Sequence, residues 1–469
     1  MIKIIQFFAS ILISLGIIAA PVAEYTPFEN RVYSDTELSV EPDESKFIKV
    51  TAPDTGKDIY KLTEGVDFGY RYGPTLLYNA DGSIDAFFAA PGRLDEWDWI
   101  SYRHSPDGGE TWTDEFKVLA PTPDSPDFYS CCDPGVVKIG DYYYLGYTST
   151  TNEDGIDNNV FVARSKRPEG PYEKWNGNGW GGKPVPFIDY TGDPATFGAG
   201  EPSFVVIGDT LYIYYTWRDG ALNQTRVATA DATNENWPAT IQYQGVAITH
   251  LSGASDSADV KYIEDYGKFI AVNTIDRFTE DSSIGIYMSN DGLTFTESYS
   301  LKTNISHCCH NSGISSRPNG HTRLEDNVFI AYAYGDEWGS WPTRMHKVDI
   351  SLIDAPDFSD YENQNAKTVT EFNKPSWYAN YIGISTTPHE YVLSKSDIGC
   401  FVNVYKFDAT LDSQKILSGV TLSNYDENII KVNGTYIKPV SQGQTFVTAK
   451  WKNHTVDFVV TVEIGRAHV

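Results

Sequence analysis

Between about residue 70 and residue 335 the chain repeats one pattern five times: a small or acidic residue, an apolar run, a Gly/Asp/Asn turn, then an aromatic-rich run. The copies are GPTLLYNADGSIDAFFAA from Gly73, DPGVVKIGDYYYLGYTS from Asp133, EPSFVVIGDTLYIYYTW from Glu201, ADVKYIEDYGKFIAVNT from Ala258 and SGISSRPNGHTRLEDNVFIAYAYG from Ser312. Each reads as a β-hairpin, and hairpins recurring roughly every 55 to 70 residues are the sequence mark of β-propeller blades. A propeller gathers the first residues of every innermost strand around one axial pocket, so Asp133 and Glu201 are expected to meet there. No segment sustains a helical period.

What precedes the repeats sets the compartment. Met1-Ile2-Lys3, an apolar run from Ile4 to Ala20 and the small residues up to Ala23 have the layout of a secretory signal peptide, residues 1–23. The expected location is therefore secreted: extracellular, periplasmic or at the cell surface. Left uncleaved, the same stretch would serve as a membrane anchor, the one circumstance in which a membrane is a partner. The net charge of -27 repels nucleic acid, which is excluded as a partner, and anionic lipid surfaces. With 31 Tyr and 11 Trp the chain has ample aromatic surface for strands, a core and sugar stacking.

Five cysteines fall as Cys131-Cys132, Cys308-Cys309 and Cys400. The two adjacent pairs precede the second and fifth repeats, which puts both on one rim of the propeller. Disulfide pairing among Cys131, Cys132, Cys308 and Cys309 is the expectation in an oxidising compartment. A metal site with His307 and His310, and free thiols, are the alternatives. No cofactor is expected; a structural Ca²⁺ on the axis would suit the fold, though no run of oxygen ligands signals it.

The remaining segments follow from composition. Residues 24–59 are acidic and poorly periodic, an extended lead-in with at most a closing strand. Residues 60–352 form the propeller and 353–383 a Pro/Asp/Asn-rich linker. Residues 463–469 break the last strand abruptly and read as a non-native tail. Within blade one, Ser105-Pro106-Asp107-Gly108-Gly109-Glu110-Thr111-Trp112 is an Asp-box, in which the Asp side chain bonds turn amides on the outside of the propeller. A shorter copy runs from Ser289 to Phe295. Asp107 is accordingly structural.

Residues 384–462, ending in GQTFVTAKW from Gly443 and VDFVVTV from Val456, resemble a bacterial immunoglobulin-like domain of group 2. The fold expected is thus all-β: a five-bladed β-propeller followed by a small immunoglobulin-like β-sandwich. Asp133-Pro134-Gly135 and Glu201-Pro202-Ser203, with their following hairpins, resemble the second and third blades of glycoside hydrolase family 43 and its relatives, families 32, 62, 68 and 117. That resemblance spans roughly Tyr60 to Ile350. It implies three carboxylates in the funnel: a base Asp on blade one, a tuning Asp on blade two and an acid Glu on blade three. By motif position Asp133 is the second and Glu201 the third.

The chemistry fits independently, since glycoside hydrolysis needs one protonated and one ionised carboxyl, and neighbouring carboxyls push their pKa values apart. The departure is on blade one, where Gly73-Pro74 stands in place of Asp-Pro. The base is then Asp67, Asp256 or Asp259, or the imidazole of His310 takes an acid or base role. Arg71, Trp217, Arg218 and Trp338 are candidate sugar contacts, with packing as their plainer role. The reading is a glycoside hydrolase of a plant, algal or microbial polysaccharide, exo-acting. A carbohydrate-binding or adhesion propeller, a lyase and a sialidase are the alternatives, the last weakened by the absence of Arg-Ile-Pro.

Overall fold

The structure, a computed structural model, describes residues 25–61, 69–92, 96–250, 255, 257–335, 339, 341–363, 382–386, 390–408 and 413–463. The expected signal segment lies outside this set, as does the expected tail apart from Glu463, which ends the last strand. The described chain is all-β, with three short 3-10 turns and no α-helix, and no helix in it is long and apolar enough to cross a membrane.

Five sheets make the propeller, each with four antiparallel strands, and the fourth carries a short fifth strand, His321–Thr322, in parallel on its inner edge. Blade one is Tyr72–Tyr78, Ile84–Pro91, Asp98–Ser105 and Phe116–Leu119; blade two is Cys132–Ile139, Tyr142–Ser149, Asn159–Ser165 and Glu173–Lys174. Blade three is Gly198–Ile207, Thr210–Asp219, Leu222–Asp231 and Gln242–Thr249; blade four is Ala258–Ile263, Lys268–Ile275, Ser283–Ser289 and Thr296–Leu301. Blade five takes His310–Ile314, Phe329–Ala333 and Thr343–Lys347 from the end of the repeat region and Lys57–Tyr60 from the lead-in. The inner strands neighbour one another in ring order, and blade five against blade one closes the circle. Closing the last blade with a strand from the chain's other end removes a sheet edge and ties first to last.

Alternation along the strands sends apolar side chains into the seams between blades. Phe204, Tyr144, Phe187 and Trp237 fill the seam of blades two and three, with the Phe187 and Trp237 rings 5.2 Å apart and edge-on. The two Ser/Asp turns sit on the outer strands: Asp107 Oδ1 accepts from Thr111 N at 2.8 Å and Asp291 Oδ1 from Leu293 N at 2.8 Å.

The lead-in is more ordered than its composition suggests. It crosses the base of the propeller, where Arg31 reaches Asp85 at 3.2 Å, Asp35 meets Arg317 at 2.7 Å, and Leu38 N donates to Glu264 Oε2 at 2.8 Å. It then pairs Phe47–Thr51 with Asp349–Ile353 before entering blade five. Charge pairs hold the stretch before that strand, which is why no hydrophobic period marks it there. Beyond the propeller, strands between Ile382 and Glu463 form three small sheets around Tyr391, Val447, Phe458 and Val460.

Candidate active site

One local device builds the mouth of the funnel. In four inner hairpins the register slips between Tyr72 and Thr75, Cys132 and Gly135, Gly200 and Ser203, and His310 and Gly313. The extra residues are Gly73-Pro74, Asp133-Pro134, Glu201-Pro202 and Asn311-Ser312. In each pair the first is left-handed, with φ of 59°, 49°, 54° and 47°. Such bulges bend a strand and re-aim a side chain, and proline fits because a bulge asks for no ladder donor. A left-handed residue with a side chain costs roughly 1–2 kcal/mol, and Asp and Asn bear it better than Glu. Glu201 carries that strain, braced by its N–H donating to Thr148 Oγ1 at 2.6 Å. Blade four enters without a slip.

The four bulges and the start of blade four line one open cavity of about 350 Å³, solvent space included. Gly73, Asp133, Glu201 and Asn311 form its upper ring. One step deeper lie Thr75, Ser203, Asp259 and Gly313. The axis is narrow there: a Cβ on Gly135 would fall 2.0 Å from Pro202 O, and one on Gly313 2.4 Å from Pro74 O.

Asp133 and Glu201 are thus brought together as expected. Asp133 lies against the Cys132 thiol, 3.3 Å from Oδ2. Glu201 Oε1 accepts from Asn311 Nδ2 at 3.4 Å, and Asn311 Oδ1 is 2.8 Å from His310 Nδ1. An amide oxygen only accepts, so His310 carries its proton on Nδ1. The imidazole is 1% exposed and lies 4.4 Å from the Phe278 ring and 4.5 Å from Trp341. It reaches the funnel through Asn311.

Asp259 also lines the cavity but in the deeper tier, where its bonds tie three blades. Ser203 donates to Oδ1 at 2.7 Å, Ile314 N to Oδ2 at 2.8 Å, and buried Lys261 pairs with Oδ1. Asp67, Asp256 and Trp338 lie outside the described residues.

Three expectations land elsewhere. Arg71 is not at the funnel: it pairs with Glu115 at 2.7 Å and lies over the Tyr60 ring at 4.2 Å. Burial opposes charge on Glu115, but Arg71 and Lys117 hold its carboxyl down to about 2. Trp217 is in the core of blade three, 4.8 Å from the Tyr190 ring with Arg226 stacked on it at 4.0 Å. Cys131 and Cys132 stand as buried thiols in this structure rather than bridged. Each pair is occupied locally: Cys131 lies 3.9 Å from Asp127, Cys132 faces Asp133, and Cys309 is packed in the core between blades four and five. Burial pushes the Cys131 and Cys132 thiols well up, against the thiolate form. Arg218 lies at the funnel end, opposite Gly198 in the sheet. Among the described residues no group of three His, Cys, Asp or Glu is placed to hold a metal ion.

Two features were missed. Asn311 is the blade-five counterpart of Glu201, visible once His310-Asn311-Ser312-Gly313-Ile314 is aligned with Gly200-Glu201-Pro202-Ser203-Phe204 instead of starting the repeat at Ser312. Asp98, 4% exposed at the same end of blade one, accepts from Tyr70 at 2.5 Å, Tyr72 at 3.1 Å and Ser130 at 3.1 Å. Burial pushes its carboxyl up to about 6 even so.

No protein-family model and no curated protein matches the sequence. Among solved structures, an endo-arabinase from Bacteroides thetaiotaomicron is similar at 14% identity, over 62% of this chain and 98% of its own, with a TM-score of 0.44. A family 117 glycoside hydrolase from the marine bacterium Zobellia galactanivorans is similar at 14% identity, over 70% and 96%, with a TM-score of 0.46. An α-L-arabinofuranosidase of family 62 from Coprinopsis cinerea is similar at 12% identity, over 66% and 98%, with a TM-score of 0.42.

Proposed function

We propose that this chain is an exported glycoside hydrolase acting on a plant, algal or microbial polysaccharide from a chain end. The observation that carries the reading is the repeated bulge: adjacent blades place Asp133 and Glu201 at the same extruded position, facing one open funnel. Backbone strain retained under two carboxylates is what a site built for those carboxylates requires.

Glu201 is the general acid and donates its proton to the glycosidic oxygen as the bond to the anomeric carbon breaks. Water adds to that carbon and its proton passes to a carboxylate. Asp133 suits this second task as well as that of orienting the sugar. Gly73 has no side chain, and a Cβ there would stand 3.5 Å from Asp133 Oδ1, so the first residue of the blade-one bulge puts no side chain against that oxygen. Asp259 braces the floor. Asn311 positions Glu201, and His310 fixes the Asn311 amide.

The test is a screen of polysaccharides and aryl glycosides with reducing-sugar and mass-spectrometric readout, run on the wild type and Glu201→Gln. A saccharide product that disappears in the variant supports the reading. A variant working at the wild-type rate removes Glu201 from the mechanism, and binding without turnover by the wild type leaves a carbohydrate-binding propeller.

A further inference from the structure

We infer that Trp97 is the platform of a second sugar-binding subsite, on the rim between blades one and two, which holds a neutral unit of the glycan whose end enters the funnel. The inference rests on the hydrolase reading for the direction of the chain, but the subsite itself is a binding site with its own evidence.

Large aromatic side chains are seldom left in water. Trp97 is 43% exposed, and no other tryptophan among the described residues is in the exposed range. Its exposure is not that of a loose loop. The Trp97 N–H donates to Tyr129 O at 3.0 Å, and its carbonyl accepts from Gly92 N at 2.8 Å and Tyr70 Oη at 2.9 Å. The residue before it, Glu96, accepts from the Trp99 indole at 2.9 Å. The main chain around the indole is therefore fixed on both sides.

The ring is fixed too. Tyr129 meets it edge-on at 5.8 Å between centroids. The opposing loop approaches so closely that a Cβ on Gly155 would lie 2.3 Å from the indole. Gly155 is itself held, donating to Asn152 O at 3.0 Å and accepting from Asn158 Nδ2 at 2.8 Å. An indole held in place and 43% exposed costs little ordering entropy when a ligand stacks on it.

Its place on the rim gives the ligand. Asp98, the next residue, binds Tyr72 and Ser130, which lead directly to Gly73 and Asp133. The loop carrying Gly155 follows Thr148, the residue that braces Glu201, and its Asn158 is bonded to Phe197 and Ala199 just before Glu201. The two loops that hold the indole thus run on into the strands that carry Asp133 and Glu201. Asn152, Glu153 and Asp154 precede Gly155 in the same loop and give it amide and carboxylate groups of the kind that bind sugar hydroxyls, and their charge disfavours an acidic sugar.

The experiment is affinity electrophoresis of Glu201→Gln through gels containing arabinan, xylan or galactan, beside the same protein carrying Trp97→Ala or Trp97→Phe. Retardation by at least one polysaccharide is expected, weakened about tenfold or more by Trp97→Ala and largely kept by Trp97→Phe. In wild-type background, Trp97→Ala lowers the ratio of polysaccharide to 4-nitrophenyl glycoside hydrolysis by a similar factor. Hydroxyl-radical footprinting of the unmutated chain gives an independent readout: oxidation of Trp97 falls when the retarding polysaccharide's oligosaccharides are present. Retardation unchanged by Trp97→Ala, Trp97 left unprotected, or no retardation of Glu201→Gln by any of the three overturns the subsite. Retardation that depends on Trp97 in a protein releasing no sugar sustains the subsite and sinks the hydrolase reading instead.

Discussion

The two ends of the propeller axis use the same acidic residue types for opposite purposes. At the base the carboxylates that fasten the lead-in to blades four and five meet cations. Asp35 lies 2.7 Å from Arg317 and 2.6 Å from Arg323, Glu264 is 2.7 Å from Arg323 and 2.8 Å from His321, and Asp326 is 2.7 Å from Arg317. At the funnel Asp133 faces a thiol and Glu201 an amide, and both sit on strained backbone. Burial opposes charge on Glu264, but bonds from His321, the Leu38 amide and Arg323 hold its carboxyl down to about 2, whereas burial carries Asp98 up to about 6. Acids clamped by cations fasten the chain; an acid buried among hydroxyl donors, as Asp98 is, keeps its proton to higher pH.

The largest effect that would break this contrast is at Glu201. Glu201→Gln keeps the amide contact and the bulge, so the denaturation midpoint should hardly move while kcat/KM falls about 10³-fold, within the usual range for loss of a general acid. A drop in stability matching the drop in rate would make Glu201 a structural residue like those at the base.

The base gives the reverse signature. Arg323→Met takes one cation from buried Glu264 and one from exposed Asp35, a loss of about 3 kcal/mol by urea denaturation that comes mainly from Glu264, with activity per folded molecule unchanged. An activity loss without a stability loss there would show that the two ends are not separate devices.

The pH dependences should also part. Glu264 is depressed from 4.5 to about 2, so its contribution is present above pH 4.5 and lost as pH falls through about 2. Asp98 is raised from 3.8 to about 6, so its contribution is present below about pH 4 and lost as pH rises through 6. Asp98→Asn should therefore gain on the order of 2 kcal/mol relative to wild type at pH 7 and little at pH 4. Equal gains at both pH values would mean that Asp98 is not the titrating group.

The funnel was more legible than the base for a physical reason. Inner hairpins are two-periodic and their entry residues converge by geometry, so Asp133 and Glu201 could be paired from 68 residues apart in sequence. The bulge interrupts that period by two residues, which hid Asn311 behind a repeat start set at Ser312. The base is held by ion pairs between the lead-in and blades four and five, such as Arg317 with Asp35, and isolated charges at such separations leave no pattern. Asp98 was obscured because its character comes from Tyr70, Tyr72 and Ser130 closing over it, a matter of burial that one sequence does not display.

The finest test is at the empty place in the upper ring. Gly73 has the left-handed φ of 59° that Asp133 and Glu201 share, and a Cβ there would meet Asp133 Cα at 3.4 Å, an ordinary contact. Gly73→Asp should therefore fold, at a cost of about 1 kcal/mol for a side chain in that region. Its carboxyl would stand beside that of Asp133, and two like charges at close range raise one of the two pKa values. If the vacancy admits the attacking water, filling it lowers kcat at least tenfold and moves the acidic limb of the pH–rate profile upward. If glycine is there only to relieve the turn, stability changes and the profile does not. The first outcome would make the absence of a blade-one carboxylate part of the catalytic design; the second would leave Asp133 and Glu201 to be explained without it.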